Sequence, residues 1–290
     1  MSAGETVPTR GRIWFEALVG REVKAVAGVQ SVLAADRMLR TERIRFVAIV
    51  PDPSNRFPCA RGGQVGLEEG WNIARQIRDV IQADSTGEKR AIVAIVDVPS
   101  QAYGRREELL GIFLAAAAAT DAYVSARLAG HPVISLIVGQ AISGGFLTHG
   151  AQANRLLALR DPGVMIHAMA KEAAALITRR TVAELDELAG KVIPLSYKIE
   201  DYAKLGMLHK LIEGVDPDSP SPDQIDRVEV DLLTAIADAR SGPRDLSNRL
   251  ESGGARINRK TTLEVRRRLA EQWDSVGIGL GGSAGRRIGA

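Results

Sequence analysis

The stretch from Leu136 to Phe146 (Leu-Ile-Val-Gly-Gln-Ala-Ile-Ser-Gly-Gly-Phe) constrains this chain more than any other. The apolar run from Pro132 to Val138 that leads into it reads as a strand covered on both faces, which calls for a largely parallel sheet with helices above and below. It runs straight into a glycine-rich turn, and an apolar helix is expected to begin near Gly144 and continue to about Asn154. The first N–H groups of such a helix have no intrahelical acceptor, and glycine lets a ligand oxygen come close to the main chain. The turn therefore suits a negatively charged oxygen. A tight strand-to-helix connection that binds nothing is the alternative.

The flanking sequence repeats the theme. Arg43 to Val50 (RIRFVAIV) and Ala91 to Val96 (AIVAIV) read as further strands. Gly66 to Gln82 spaces Leu67, Trp71, Ala74, Ile77 and Ile81 as one helical face. Gly11 to Leu39 reads as mostly helical, anchored by Trp14, Leu18, Val32 and Leu33, and Arg105 to Leu128 as one long helix. Short strands are expected at Leu156–Leu159, Val164–His167 and Leu208–Glu213. Helices are expected at Lys171–Thr178, Val182–Lys191, Glu200–Leu205, along the face Ile225, Val228, Leu232 and Ile236, and at Thr262–Trp273. Strands alternating with helices make an α/β layered core, and ligands in such cores sit at the C-terminal ends of the strands. Both strand-to-helix turns, after Val96 and after Val138, open there.

Composition narrows the function. Aromatic residues make up 4% of the 290 residues, which argues against a nucleic-acid surface built on base stacking. No apolar run approaches the roughly 20 residues that span a bilayer, and Met1 to Arg12 lacks the apolar core of a signal peptide. Cys59 is the single cysteine, so no intrachain disulfide and no cysteine metal cluster can form, and a reducing cytoplasm fits. Four histidines without HxH or HExxH spacing give no metal signal. The +3 net charge is uneven, about +5 from Arg244 onward against about −2 before it.

Five segments in order carry a resemblance to a known family: Pro51–Pro58 (PDPSNRFP), Gly66–Trp71 (GLEEGW), Asp97–Leu110 (DVPSQAYGRREELL), His131–Phe146 (HPVISLIVGQAISGGF) and Pro162–Arg180 (PGVMIHAMAKEAAALITRR). From about Gly11 to Arg240 the chain resembles the crotonase-like, or ClpP/crotonase, proteins, and within them the γ subunit of biotin-independent malonate decarboxylase, a relative of acetyl-CoA carboxylase carboxyltransferase subunits. The resemblance implies an α/β fold of stacked sheets flanked by helices, with a helical C-terminal part. Residues 11–240 would form the carboxyltransferase-type domain, residues 1–10 a disordered N-terminus, and residues 241–290 a partly disordered basic tail rich in Gly and Arg. It also implies a β-subunit partner of the same fold, an acyl-carrier subunit that presents malonyl thioester on a phosphopantetheine-type arm, and an α subunit that exchanges acetyl for malonyl. No biotin, metal, nucleic acid or membrane is implied. Two positions depart from the carboxyltransferase relatives: Gln140 stands where they usually carry Glu, and Ser100 where they carry Gly.

Decarboxylation of a malonyl thioester places charge on the thioester oxygen, so it needs fixed dipoles more than a nucleophile. The amides of Gly144 and Gly145 are the candidate oxyanion hole. Ser143 reads as a helix cap, a turn residue or a nucleophile. His167 reads as a buried histidine bonded to a carbonyl, as a general acid, or as the partner of Ser143 in a ClpP-like serine hydrolase. After Tyr103 and Gly104, Arg105 and Arg106 open the next helix and read either as exposed charges at a helix end or as holders of a bound anion; Tyr103 reads either as a core tyrosine or as a source of a hydroxyl for the site. A non-catalytic subunit that completes a partner's pocket is the third reading.

Overall fold

The computed structural model describes residues 9–20 and 29–276. Residues 1–8 of the expected disordered N-terminus and residues 277–290 of the expected tail lie outside the described residues.

Helix α1 (Arg10–Val19) buries Trp14 and Leu18 and stops at Gly20. The second half of the expected N-terminal helix is instead strand β1 (Val32–Leu39), which turns at Arg40 and Thr41 into β2 (Glu42–Ile49). The hairpin pairs Val32 with Ile49 through to Leu39 with Glu42. Ala, Arg, Met and Leu in β1 favour a helix locally, but antiparallel pairing to the β-branched run of β2 overrides that preference. Val32 and Leu33 are buried as expected, through the sheet.

Helix α2 (Leu67–Ala83) leads to β3 (Ala91–Val98), which lies parallel to β2. The single helix expected over Arg105–Leu128 is two, α3 (Arg105–Leu109) and α4 (Ile112–Leu128). Gly111 at φ 83° breaks the helix, a left-handed conformation that costs a side chain dearly and glycine little. β4 (Val133–Ile142) lies parallel to β3 and runs four residues past the expected end at Val138.

Helix α5 (Ser143–Thr148) follows directly and stops well before Asn154. Its end is set by His149, which leaves the helical conformation to enter the core. There His149 Nδ1 lies 2.9 Å from the Tyr123 hydroxyl and Nε2 lies 3.0 Å from the Ile95 carbonyl oxygen.

Strand β5 (Arg155–Leu159) pairs with the first half of β4, and β6 (Met165–His167) with its last three residues. Helices α6 (Lys171–Thr178), α7 (Val182–Ala189) and α8 (Ile199–Lys204) precede edge strand β7 (Lys210–Ile212), which pairs with β5. Among the described residues seven strands make one sheet in the order β1-β2-β3-β4-β5-β7, with β6 leaving that line at β4. Helix α9 (Pro222–Ser241) packs its Val228, Leu232 and Ile236 face into the core, and α10 (Asn248–Glu251), α11 (Gly253–Asn258) and α12 (Lys260–Val276) complete the helical C-terminal part.

A buried acid anchors the start of α2. Glu69 is fully buried and accepts from the Gly66 amide (3.0 Å), from Asn55 Nδ2 (2.8 Å) and from the Ser31 hydroxyl. Burial pushes its carboxyl up, and the hydrogen bonds from Ser31, Gly66 and Asn55 oppose this in part. The folded state therefore holds a proton that the unfolded chain releases. Its contribution is full below the ordinary carboxylate range and is lost as pH rises through the folded value. Glu69→Gln is expected to remove this decline, which urea unfolding of both proteins across a pH series from 4 upward would show.

Candidate functional site

The site forms where β3 and β4 end side by side. Asp97, next to last in β3, accepts the amide of Gln140 through Oδ1 (3.0 Å) and that of Gly11 through Oδ2 (3.1 Å). One carboxylate thus ties β3, β4 and the start of α1 together just ahead of the glycine turn. Sequence reading placed Asp97 only in a turn. Its signal was a carboxylate closing an otherwise apolar strand.

The loop after β3 is pinned as well. Val65 N–H donates to the Ser100 carbonyl (3.1 Å) and Ala102 N–H to that of Val65 (2.9 Å). This brings residues 98–101 against the first turn of α5. A Cβ on Gly145 would lie 2.4 Å from the Ser100 carbonyl oxygen and 2.5 Å from Val98 Cγ1, and one on Gly144 would lie 1.6 Å from Gln101 Oε1. At Gly145 the backbone of loop 98–101 passes too close for a side chain, whereas at Gly144 the obstacle is the end of the Gln101 side chain. As first-turn residues the two glycines have amides without an acceptor within α5.

Ser143 is not the helix cap; that position belongs to Ile142. Ser143 is the first residue of the helix, at φ 63°, a left-handed conformation uncommon for a residue other than glycine. Backbone strain of this kind concentrates at functional sites. The side chain of Ser143 is buried, and its hydroxyl is hydrogen-bonded to that of Tyr103, whose ring is largely exposed. The structure thus brings Ser143, Gly144, Gly145 and Tyr103 together.

His167 is carried by β6 at the register of Ile142. Its Nδ1 lies 2.9 Å from the Met169 carbonyl oxygen and 3.1 Å from the Met169 nitrogen, and its ring stacks on Tyr197 at 4.0 Å. Burial pushes its pKa down, so the ring is neutral at pH 7. The Ser143 hydroxyl is hydrogen-bonded to Tyr103 and the His167 ring to Met169, so the two side chains do not form a dyad here.

Gly104 sits against Glu107 and Cys59, and burial followed by the Glu107 charge pushes the Cys59 thiol up, which keeps it protonated. The Arg106 guanidinium lies 5.1 Å from the centre of the Phe57 ring and that of Arg56 lies 5.0 Å from it, a cation–π arrangement. Arg105 is exposed at the start of α3. Around these residues α3, α4 and α5 present large apolar side chains to solvent: Leu109 (76% exposed), Phe113 (62%), Leu110, Leu114 and Leu147. Among the described residues no group of three or more His, Cys, Asp or Glu side chains is placed to hold a metal ion, and no helix is long and apolar enough to cross a membrane.

The chain is similar to known proteins in sequence and in fold. A family described as malonate decarboxylase gamma subunit matches residues 60–273. A curated relative, the malonyl-S-ACP:biotin-protein carboxyltransferase MADD of Malonomonas rubra, is 39% identical over 168 residues, which are 56% of this chain. The chain spans only 57% of that relative's length.

Among solved structures, a chain of a Pseudomonas malonate decarboxylase hetero-tetramer in complex with coenzyme A is 52% identical, with 91% of this chain and 100% of that chain covered and a TM-score of 0.87. A chain of the Pseudomonas MdcD–MdcE hetero-dimer is 51% identical at the same coverage, with a TM-score of 0.83. Transcarboxylase 12S, 20% identical over 73% of this chain and 37% of its own with a TM-score of 0.53, shares the fold. Because the family match spans well over half of its length, this chain belongs to the malonate decarboxylase gamma-subunit family.

Proposed function

We propose that this chain acts with a β-type partner in the decarboxylation of a malonyl thioester, in the cytoplasm, on the phosphopantetheine-type arm of an acyl-carrier subunit that an α-type transferase recharges. The observation that carries this reading is Ser143, held at φ 63° at the end of β4, with Gly144 and Gly145 following it in the first turn of α5. In the reaction the bond between the carboxylate carbon and the α carbon breaks. Its electron pair moves into the thioester as an enolate, carbon dioxide leaves, and the α carbon takes up a proton. The amides stabilise the anionic oxygen, and one such donor contributes on the order of 3 kcal/mol.

The hydroxyl pair of Ser143 and Tyr103 orients the substrate beside that oxygen, and Arg105 and Arg106 add positive charge at the entrance. His167 is assigned the return of the proton: its Nδ1 faces Met169, which leaves Nε2 for the substrate. The apolar side chains on α3, α4 and α5 form the face for the β-type partner. Docking there dries the site and strengthens the amide dipoles. Release of carbon dioxide without biotin is favoured because the likeness to chains of the Pseudomonas malonate decarboxylase runs the full length of those chains, whereas that to the biotin-protein carboxyltransferase spans about half.

The test is carbon dioxide release from malonyl-carrier thioester by the purified pair, with and without avidin. Avidin-insensitive release that needs both chains is expected, and release by the partner alone would leave this chain a scaffold. Phe113→Glu is expected to weaken pairing at least about tenfold, as loss of a central apolar anchor does. Unchanged pairing on a biosensor would move the interface elsewhere. Labelling of Ser143 by a serine-hydrolase probe would favour the hydrolase reading instead.

A further inference from the structure

The His167 ring meets both main-chain polar groups of one residue. Its Nδ1 lies 2.9 Å from the Met169 carbonyl oxygen and 3.1 Å from the Met169 nitrogen. A neutral imidazole can use one of these at Nδ1 but not both: a protonated Nδ1 donates to the carbonyl, and an unprotonated Nδ1 accepts from the amide. The ring by itself leaves the choice open, and a neighbour decides it.

That neighbour is Tyr197, a buried side chain at the far end of the segment that holds α6 and α7. Its backbone runs beside β6: the Ile166 amide donates to the Tyr197 carbonyl (3.3 Å), and Met165 faces Lys198 across an antiparallel bridge. The Tyr197 ring stacks on that of His167 at 4.0 Å, with 16° between their planes. Its hydroxyl donates to the same Met169 carbonyl oxygen at 2.6 Å. Burial, then the charges of Glu172 and Asp186, push this hydroxyl up, so it stays a donor at pH 7.

From this arrangement we infer that Tyr197 is a positioning residue, whose hydroxyl holds the proton of the neutral His167 ring on Nε2. With the Met169 carbonyl supplied by Tyr197, the Nδ1 lone pair takes the Met169 amide, and both polar groups of Met169 are satisfied. The other tautomer sets two N–H groups against each other 3.1 Å apart and leaves the Met169 amide with no acceptor among the described residues. Nε2 has no partner among the described residues but is not sealed from solvent, so water or substrate can meet its N–H. Strand β6 places His167 one strand spacing, about 4.8 Å, from Ile142, the residue before Ser143.

The catalytic consequence rests on the reading of His167 as the proton donor. Loss of carbon dioxide leaves an electron pair on the α carbon. The Nε2–H group gives its proton there, and water restores it to the ring. In the tautomer protonated at Nδ1, Nε2 has no proton to give.

Nitrogen-15 spectra of the full chain, labelled at its four histidines and recorded at pH 7.5, test this, with the His167 signals identified by their absence from His167→Gln. The parent is expected to carry the His167 proton chiefly on Nε2. Tyr197→Phe keeps the stacked ring and loses only the hydroxyl. It is expected to raise the ratio of the Nδ1–H form to the Nε2–H form about fivefold, the worth of one hydrogen bond. Carbon dioxide release by the paired subunits should fall in proportion to the Nε2–H form lost, with KM for the malonyl-carrier thioester unchanged. A parent protonated chiefly on Nδ1, or a Tyr197→Phe protein with the parental ratio, would each overturn the inference. If the spectra are as expected but His167→Gln releases carbon dioxide at the parental rate, the proton-donor reading falls and control of the tautomer by Tyr197 stands.

Discussion

Gly145→Ala is expected to lower carbon dioxide release by the paired subunits at least about 100-fold, the effect of losing an oxyanion donor. The added Cβ would overlap the Ser100 carbonyl oxygen and Val98 Cγ1, groups held by the end of β3 and its bonds to Val65, so the first turn of α5 must move instead. Gly144→Ala is different in kind, because its Cβ would meet only the amide end of the Gln101 side chain. Removing that side chain as well makes room, and the pair Gly144→Ala and Gln101→Ala is expected to retain most of the activity that Gly144→Ala alone loses. Melting temperature and partner affinity, measured on each variant, separate a displaced amide from a failure to fold. A stable Gly145→Ala protein within a few-fold of parental activity would remove the amides from the mechanism.

Acidification from pH 6.5 to about 4 is expected to destabilise the protein by roughly 3 kcal/mol through His149 alone, at about 1.36 kcal/mol per pH unit. His149 is fully buried, and burial pushes its pKa down to about 4, with only the Ile95 carbonyl resisting. Because Nε2 faces that carbonyl, Nε2 carries the proton of the neutral ring and Nδ1 accepts from the Tyr123 hydroxyl. The unfolded chain takes up a proton near pH 6.5 that the folded chain refuses until about pH 4. The stability is therefore complete above pH 6.5 and is lost through that window. His131, His167 and His209 are also pushed down and add to the slope, so the informative quantity is the difference between the parent and His149→Gln. Urea unfolding at half-unit pH steps should show a flatter profile for the variant. Parallel profiles would mean that His149 is protonated without cost in the fold.

The elements of the sheet and its flanking helices were not equally legible. Ala91 to Val96 and Pro132 to Val138 could be read as buried strands because a strand covered on both faces has no reason to carry polar residues. Helix α2 could be read because its apolar residues recur at helical spacing. Residues 32–39 could not, since Ala, Arg, Met and Leu favour a helix until β2 is placed beside them. The break at Gly111 was also hidden, because one glycine within an alanine-rich run does not announce a left-handed turn.

At the candidate site, sequence alone determined that a glycine turn would close a central strand and that the first turn of a helix would follow it, since strand, glycine and helix signals are all local. It also brought Tyr103 and Ser143 forward as neighbours of one site. Tertiary structure alone decided that Ser143 would be strained and bound to Tyr103, that Asp97 would lock two strands and a helix at one point, and that loop 98–101 would leave no room for a side chain on Gly145. Each of these depends on segments about 40 or more residues apart meeting at the same sheet edge, and contacts over such separations leave no periodic trace in the chain that makes them.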